Sequence, residues 1–370
     1  MYDVCIVGAG PAGSTLARLI GDRYRVLLVD RRRLDEASTG SGRVKSCGGL
    51  LAPKAQRELA RQGLGLPSEV IVGPQLFAVR AVDLDAGLER TYQRHYVNVD
   101  RERFDRWLAA LVPPSVDVAF GYRMCGLEYG SGDPLVRIEG PTGARASVVA
   151  RYVVGADGAL SAVRRLAFGN RVAPVRYAAV QASFDSGGGE PYFGAIFSRS
   201  LTDFYGWTVP KGHRTLVGLA VRPGAGTADR FETFVSRVRE IGLCAGPELE
   251  RECAMFFRPG SARELLCGEG RVTLVGEAAG LMSPSSAEGI SYALRSARLL
   301  AEALEPGTDG AIARYRSSAL DLRLDIALRT VKSRAIYAPY ARRALMRSGL
   351  GALRVTGREA CGVEPHPAPG

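Results

Sequence analysis

Tyr2-Asp3-Val4-Cys5-Ile6-Val7-Gly8-Ala9-Gly10-Pro11-Ala12-Gly13 opens the chain after Met1, and its reading decides the fold. Val4 to Val7 is an apolar run of strand length. Glycines follow at once, and Leu16, Leu19 and Ile20 then recur at helical spacing. A second apolar stretch, Arg25 to Val29, ends at Asp30. Strand, tight turn, helix and strand in this order begin a doubly wound sheet. Residues 8–13 fit G-x-G-x-x-G: Gly8 allows the turn, Gly10 lets the backbone approach a pyrophosphate, and Gly13 lets helix and strand pack closely. Pro11 and Ala12 begin the helix whose free amides and positive dipole end face the phosphates. Asp30, with Arg31 beside it, stands where a carboxylate accepts hydrogen bonds from a ribose diol.

Working outward, a chain of 370 residues exceeds what one core usually sustains, so two lobes are expected. Leu76–Val82 and Leu88–Val97 read as strands joined at Asp85-Ala86-Gly87, and Asp100–Val112 as a helix. Ala150–Val154 reads as a strand leading into Gly155-Ala156-Asp157-Gly158, residues 177–220 as several antiparallel strands, and Arg271–Val275 as a strand entering Gly276-Glu277. Helices are expected over Ala287–Leu304 and Ala311–Arg334, with a broken piece after Pro339 and a disordered end at Glu364–Gly370. The expected division is a discontinuous nucleotide-binding domain (1–75, 96–170 and 265–305), a sheet-rich substrate domain (76–95 and 171–264) and a helical C-terminal region (306–370).

Composition narrows the classes. The seven cysteines form no Cys-x-x-Cys pair and there are three histidines, so no metal site is expected. The N-terminus has no basic region or cleavage site, and no apolar run is long enough to span a bilayer. A cytoplasmic protein is expected. The net charge is +11, and residues 326–357 hold seven basic residues and no acid. That run reads first as a solvated helical face. Its other reading is peripheral contact with the inner face of a membrane; no nucleic-acid module is visible.

The glycine fingerprint does not separate NAD from FAD, but later motifs do. Gly155-Ala156-Asp157-Gly158, with Ser161, Arg164 and Arg165, resembles the second signature of flavoprotein hydroxylases. Gly276-Glu277-Ala278-Ala279-Gly280, then Pro284 and Glu288-Gly289-Ile290, resembles that superfamily's Gly-Asp-Ala-x-x-x-x-x-Pro signature, with Glu277 in place of Asp. Lys45-Ser46-Cys47-Gly48-Gly49-Leu50 and Tyr205-Gly206-Trp207-Thr208-Val209-Pro210 resemble the Cys-Gly-Gly and Tyr-x-Trp-x-Phe-Pro segments of geranylgeranyl reductase-like flavoproteins, with Val209 replacing Phe. The chain is most similar to the colicin M resistance protein subgroup.

The resemblance implies an α/β plus antiparallel-β architecture of the p-hydroxybenzoate hydroxylase type: a Rossmann-type FAD-binding domain interrupted by a sheet-rich substrate domain, with a helical C-terminal region. It implies FAD held by residues 8, 10–13, 30 and 31, by Lys45, Cys47, Gly48, Gly49, Arg101 and Asp157, and by Gly276, Glu277, Gly289 and Ile290. Tyr205, Trp207 and Pro210 would line a cavity for a small apolar substrate, with Cys47 and Tyr205 as proton donors. Read without the resemblance, Cys47 is equally a small filler, Arg101 a surface charge, Lys45 a solvated side chain, and Tyr205 and Trp207 core residues. The implied reaction is reduction of a carbon–carbon double bond, with NAD(P)H or an electron-transfer protein as transient donor. Its rivals are a flavin-dependent monooxygenase, less readily a halogenase, and an FAD-carrying module at a membrane.

Overall fold

The computed structural model describes residues 1–35, 47–130, 132–169, 175–188 and 190–354. Tyr2–Val7 is the central strand of one sheet, parallel to Val26–Asp30 on one side and Arg145–Gly155 on the other. Asp117–Phe120 and Val272–Leu274 extend it outward, also in parallel. Strands covered on both faces carry continuous apolar runs rather than alternation, and Val4–Val7 and Val26–Val29 are buried throughout. The helices Pro11–Ile20 and Ile290–Leu304 pack side by side.

The second sheet runs in the order Glu248–Arg258, Val175–Asp185, Arg214–Val221, Gly206–Lys211, Phe193–Phe197, Leu76–Asp83, Leu88–Asn98 and Ala352–Leu353. Neighbours are antiparallel except that Phe193–Phe197 runs parallel to Leu76–Asp83; the strands within 177–220 pair with one another antiparallel, as expected. Leu50–Leu51 also joins Leu88–Asn98. One face is covered by the helix Thr227–Glu240, whose Phe231, Phe234, Val235 and Val238 are spaced as one helical side and meet Val180, Phe184, Val217 and Leu219. Each such burial stabilises by roughly 1.5–3 kcal/mol. The other face carries Tyr177, Ala179, Phe197, Phe204 and Tyr205 against Tyr337 and Met346 of the C-terminal helices.

Those helices differ from the sequence reading. One helix expected over 311–334 is two, Ala311–Ser318 and Leu320–Tyr337, separated at Ala319, which has near-helical dihedrals and is no breaker in itself. Pro339 stops the second and opens a third, Pro339–Ser348, at its first position, where a missing amide does no harm. The helix after Gly289 starts at Ile290 rather than 287 because Ala287 takes a left-handed φ of 50°. The expected tail at 364–370 lies outside the described residues.

The basic run at 326–357 is not uniformly solvated. Arg342 is buried; its Nε donates to Asp83 Oδ2 at 2.8 Å, and its guanidinium lies over Phe197. Asp83 Oδ1 accepts the amides of Asp85 and Ala86 in the hairpin turn. Removing one member of a buried pair leaves an uncompensated charge. Asp83→Ala is therefore expected to lose about 3–5 kcal/mol in urea unfolding, while Arg347→Ala, an exposed position, changes stability by about 0.5 kcal/mol or less. Equal stabilities for the two variants would contradict this.

Candidate functional site

The glycine turn is held by backbone approaches no side chain could share. A Cβ on Gly13 would stand 1.7 Å from Gly8 O, and one on Gly8 (φ +103°) 2.5 Å from Ala156 O. Gly10 is different: the nearest atom to a Cβ there is Arg32 Nη2 at 3.9 Å. No side chain caps the helix that follows, and Pro11 occupies its first turn. An open backbone surface, an uncapped helix start and a guanidinium beside them fit a diphosphate. Asp30 sits at the end of its strand as expected, but its carboxylate already accepts from the Ala9 amide (2.6 Å) and from Arg32 through the backbone amide, Nε and Nη2. Arg31, the neighbour named from sequence, is exposed; Arg32 is the residue turned inward.

The two later signatures close on this turn. A Cβ on Gly276 would lie 3.2 Å from Ala12 Cβ, and one on Gly158 3.7 Å from Glu277 Oε2. Glu277 Oε1 accepts the Phe257 amide at 3.2 Å. Asp157 is turned away from the crevice: it accepts from Ser161 Oγ and the amides of Ala162 and Val163, capping the helix Ala162–Phe168, and burial raises its carboxyl above the usual range. Arg164 ties the signatures together through Nη1 to Ala278 O and Nη2 to Glu264 O, its pKa brought down to about 10 by desolvation. Gly289 precedes the helix Ile290–Leu304 and has no side chain with which to cap it. Ile290 itself packs with Leu51, Phe104 and Leu294. Glu288 accepts from the Ser291 amide and hydroxyl, and burial raises its carboxyl.

Cys47-Gly48-Gly49 rests on the strand Gly206–Lys211. A Cβ on Gly48 would meet Val209 Cγ2 at 3.5 Å, and one on Gly49 would stand 2.3 Å from Val99 O and 2.7 Å from Lys211 Nζ. Lys211, which the sequence reading passed over, donates to Gly49 O, Asn98 Oδ1 and Val99 O. Arg101 is no surface charge: its side chain is 8% exposed and it binds Asp105 and the Cys47 sulfur. Burial works against its charge, but Asp105 and Cys47 outweigh that and hold the guanidinium above its ordinary value. Asp105 also accepts from Arg32 Nη1 at 2.8 Å. A buried chain thus runs Cys47, Arg101, Asp105, Arg32, Asp30 and the Ala9 amide, joining the Cys-Gly-Gly segment to the glycine turn. Lys45 lies outside the described residues.

Tyr205 and Trp207 share a sheet face, but they are packed rather than facing an open cavity. Tyr205 contacts the rings of Phe193, Phe197, Phe204, Trp207 and Tyr337. Its hydroxyl donates to Ser286 O at 2.8 Å. Burial first, then Tyr96 and Cys47, raise its phenol pKa. Trp207 lies over Gly218 and donates Nε1 to Gln181 Oε1 at 3.1 Å. Pro210 falls on the opposite face by strand alternation, and its carbonyl accepts from Asn98 Nδ2. The loop 283–289 is pinned from this sheet and the C-terminal helices: Tyr337 donates to Ser285 O, and Arg258 and Ser333 donate to Pro284 O. A surface cleft at Leu84, Asp85, Thr233 and Arg237 lies by the helix-covered face, away from these residues.

Lys211 gives a pH signature. Burial brings its pKa from 10.5 down to about 8, with Cys47 and Asp100 opposing. Below that pH the folded and unfolded chains both hold the proton. Between about 8 and 10.5 the folded chain has released it and the unfolded chain has not. Stability therefore rises with pH across that window, by about 3 kcal/mol for this group. Urea unfolding of the unaltered chain and of Lys211→Met should show their difference moving in the unaltered chain's favour as pH rises. Parallel profiles would exclude the buried amine as the cause.

Residues 1–180 match the family described as FAD binding domain. Over 350 residues the chain is 39% identical to protein CbrA of Shigella dysenteriae serotype 1 (strain Sd197), covering 94% of this chain and 97% of that protein. A geranylgeranyl bacteriochlorophyll reductase-like protein from Thermoplasma acidophilum shares the fold at 19% identity and a TM-score of 0.77, over 92% of this chain and 89% of that one. So does the p-nitrophenol 4-monooxygenase PnpA of Pseudomonas putida DLL-E4, at 16% identity and a TM-score of 0.70, over 95% and 93%. The architecture is that of the p-hydroxybenzoate hydroxylase-like flavoproteins. This chain belongs to the CbrA family, with an FAD binding domain matched over residues 1–180 and the fold of the hydroxylase-type flavoproteins.

Proposed function

We propose that this protein reduces a carbon–carbon double bond in an apolar, isoprenoid-like substrate. The observation that carries the reading is Cys47, a thiol set between two buried cations, Arg101 and Lys211, in the segment that resembles the reductases. FAD, when bound and reduced, supplies hydride. The chain must then supply the proton that completes addition across the double bond. Cys47, as the thiol, can pass its proton from Sγ to the substrate carbon, and the Arg101 guanidinium beside it then compensates the charge left on sulfur. Lys211, with a pKa near 8, can return it at neutral pH. Tyr205 is a weaker donor, because its raised pKa and its bond to Ser286 O hold its proton in place. Phe193 and Trp207, half-buried beside Tyr205, offer the apolar surface for such a chain. NAD(P)H or an electron-transfer protein is the proposed transient donor.

Residues 8, 10–13, 30 and 32 would hold the diphosphate and ribose, and residues 47–49, 277 and 289 the remainder of the cofactor. Monooxygenation is the competing reading, since PnpA shares this fold. Turnover without oxygen separates them: with dithionite-reduced protein, a prenyl substrate should gain two hydrogens anaerobically. Cys47→Ala should lower kcat about 10²-fold with KM little changed. Product formation only in oxygen, or an unaffected Cys47→Ala, would refute the reductase assignment.

Gly10→Ala separates cofactor binding from folding. The added methyl meets nothing closer than 3.9 Å within the chain, so thermal stability of the flavin-free protein should hold, while visible flavin absorbance after purification should fall at least tenfold. Gly13→Ala, with its methyl 1.7 Å from Gly8 O, should lose both. Full flavin content in Gly10→Ala would place the diphosphate elsewhere.

A further inference from the structure

We propose that the helix Leu320–Tyr337 lays one face on an anionic phospholipid surface. This helix has two apolar sides. Leu322, Ile326, Thr330 and Ser333 are buried toward the protein. Leu320, Leu324, Leu328 and Val331 are 56%, 63%, 72% and 67% exposed. At 3.6 residues per turn the two sets point roughly 160° apart, so the second set is not a fringe of the core. A run of four exposed aliphatic side chains along one helix side is a feature soluble surfaces avoid unless something covers it.

Charge selects the occupant. Lys332 and Arg334 are exposed and flank the aliphatic stripe at roughly 80° on either side, where long side chains reach headgroups while the aliphatic residues enter the acyl boundary. Arg347 and Arg354 are exposed farther along, and no acid occurs from 326 to 354. Near the helix start, Asp325 is engaged by Lys54, Tyr292 and Arg329, and Asp321 by Arg295. Tyr340, 83% exposed, and Leu350, 73% exposed, are further exposed apolar side chains after this helix. A second copy seated on this stripe would bring the same cations together, in a chain already at +11, whereas anionic headgroups gain from each of them. No helix among the described residues is long and apolar enough to cross a membrane, so the contact is one of lying on the surface. The same C-terminal helices carry Tyr337 and Met346 against the aromatic face at Tyr205, so the lipid-facing element also borders the candidate site.

The test uses the full chain with its flavin bound and does not depend on which reaction it catalyses. Co-sedimentation is measured with phosphatidylcholine vesicles with and without phosphatidylglycerol. Binding should require the anionic lipid and weaken as salt rises. Leu324→Ser with Leu328→Ser should lower partitioning about tenfold or more, and Lys332→Gln with Arg334→Gln roughly fivefold per charge at low salt. Unchanged flavin content and melting temperature confirm that these exposed changes leave the fold intact. The proposal is overturned if the unaltered chain stays in the supernatant or if the Leu variant pellets equally well. It also falls if light scattering without vesicles shows a dimer that the Leu variant dissolves, because the stripe would then be occupied by a second copy.

Discussion

The carbonyl oxygen of Ala156 stands 2.5 Å from where a Cβ on Gly8 would be, and that of Gly8 stands 1.7 Å from where one on Gly13 would be. The rest of the cofactor crevice depends on these approaches. Because backbone meets backbone there, the first and second signatures can sit at the carboxyl ends of neighbouring parallel strands, Tyr2–Val7 and Arg145–Gly155. Gly276 brings the third against Ala12 from Val272–Leu274, the next strand over. Ligands in open α/β sheets bind at such carboxyl ends. A side chain at Gly8 or Gly13 would push apart backbone segments that the strand pairing brings together. Arg164, reaching from the second signature to Ala278 O, secures what the missing side chains permit.

Charge organises the crevice as much as steric fit does. Arg101, Asp105, Arg32 and Asp30 alternate in sign from Cys47 to the Ala9 amide, each touching the next. Isolated, any of these groups would be costly to bury; in a chain of charge-assisted bonds each is compensated. The arrangement places the Arg32 guanidinium, shared between Asp30 and Asp105, beside the open backbone at Gly10. It also fixes the Cys47 segment relative to the glycine turn, although the two are far apart in sequence.

What could be read from the sequence was local. The glycine fingerprint, the strand ending at Asp30 and the signatures at 155–158 and 276–280 are each confined to a few residues whose spacing carries their meaning. Lys211, Arg32 and Asp105 were not legible, because only distant pairing buries them. A signal was present: Arg101, Phe104, Asp105 and Leu108 are spaced as one helical face, so a charged pair lay on the apolar stripe of the helix. The strand Glu248–Arg258 was hidden by Glu248, Glu250, Arg251 and Glu252, among which Leu249 stands alone, so its continuous apolar run begins only at Cys253.

The basic C-terminal run shows the limit of charge as a guide. Seven basic residues without an acid describe a potential but not a surface. Folding turns Arg342 inward to Asp83 and Arg329 toward Asp325, and leaves Lys332, Arg334, Arg347 and Arg354 outside. Those left outside flank or follow aliphatic side chains that charge counting ignores. Because Leu322 and Leu324 lie two residues apart on a helix, they cannot both face one core. One set holds the helix to the sheet through contacts such as Tyr337 with Phe204, and the other has no protein surface to meet among the described residues. An element apolar on both sides ties the aromatic face at Tyr205 to whatever the outer stripe rests upon.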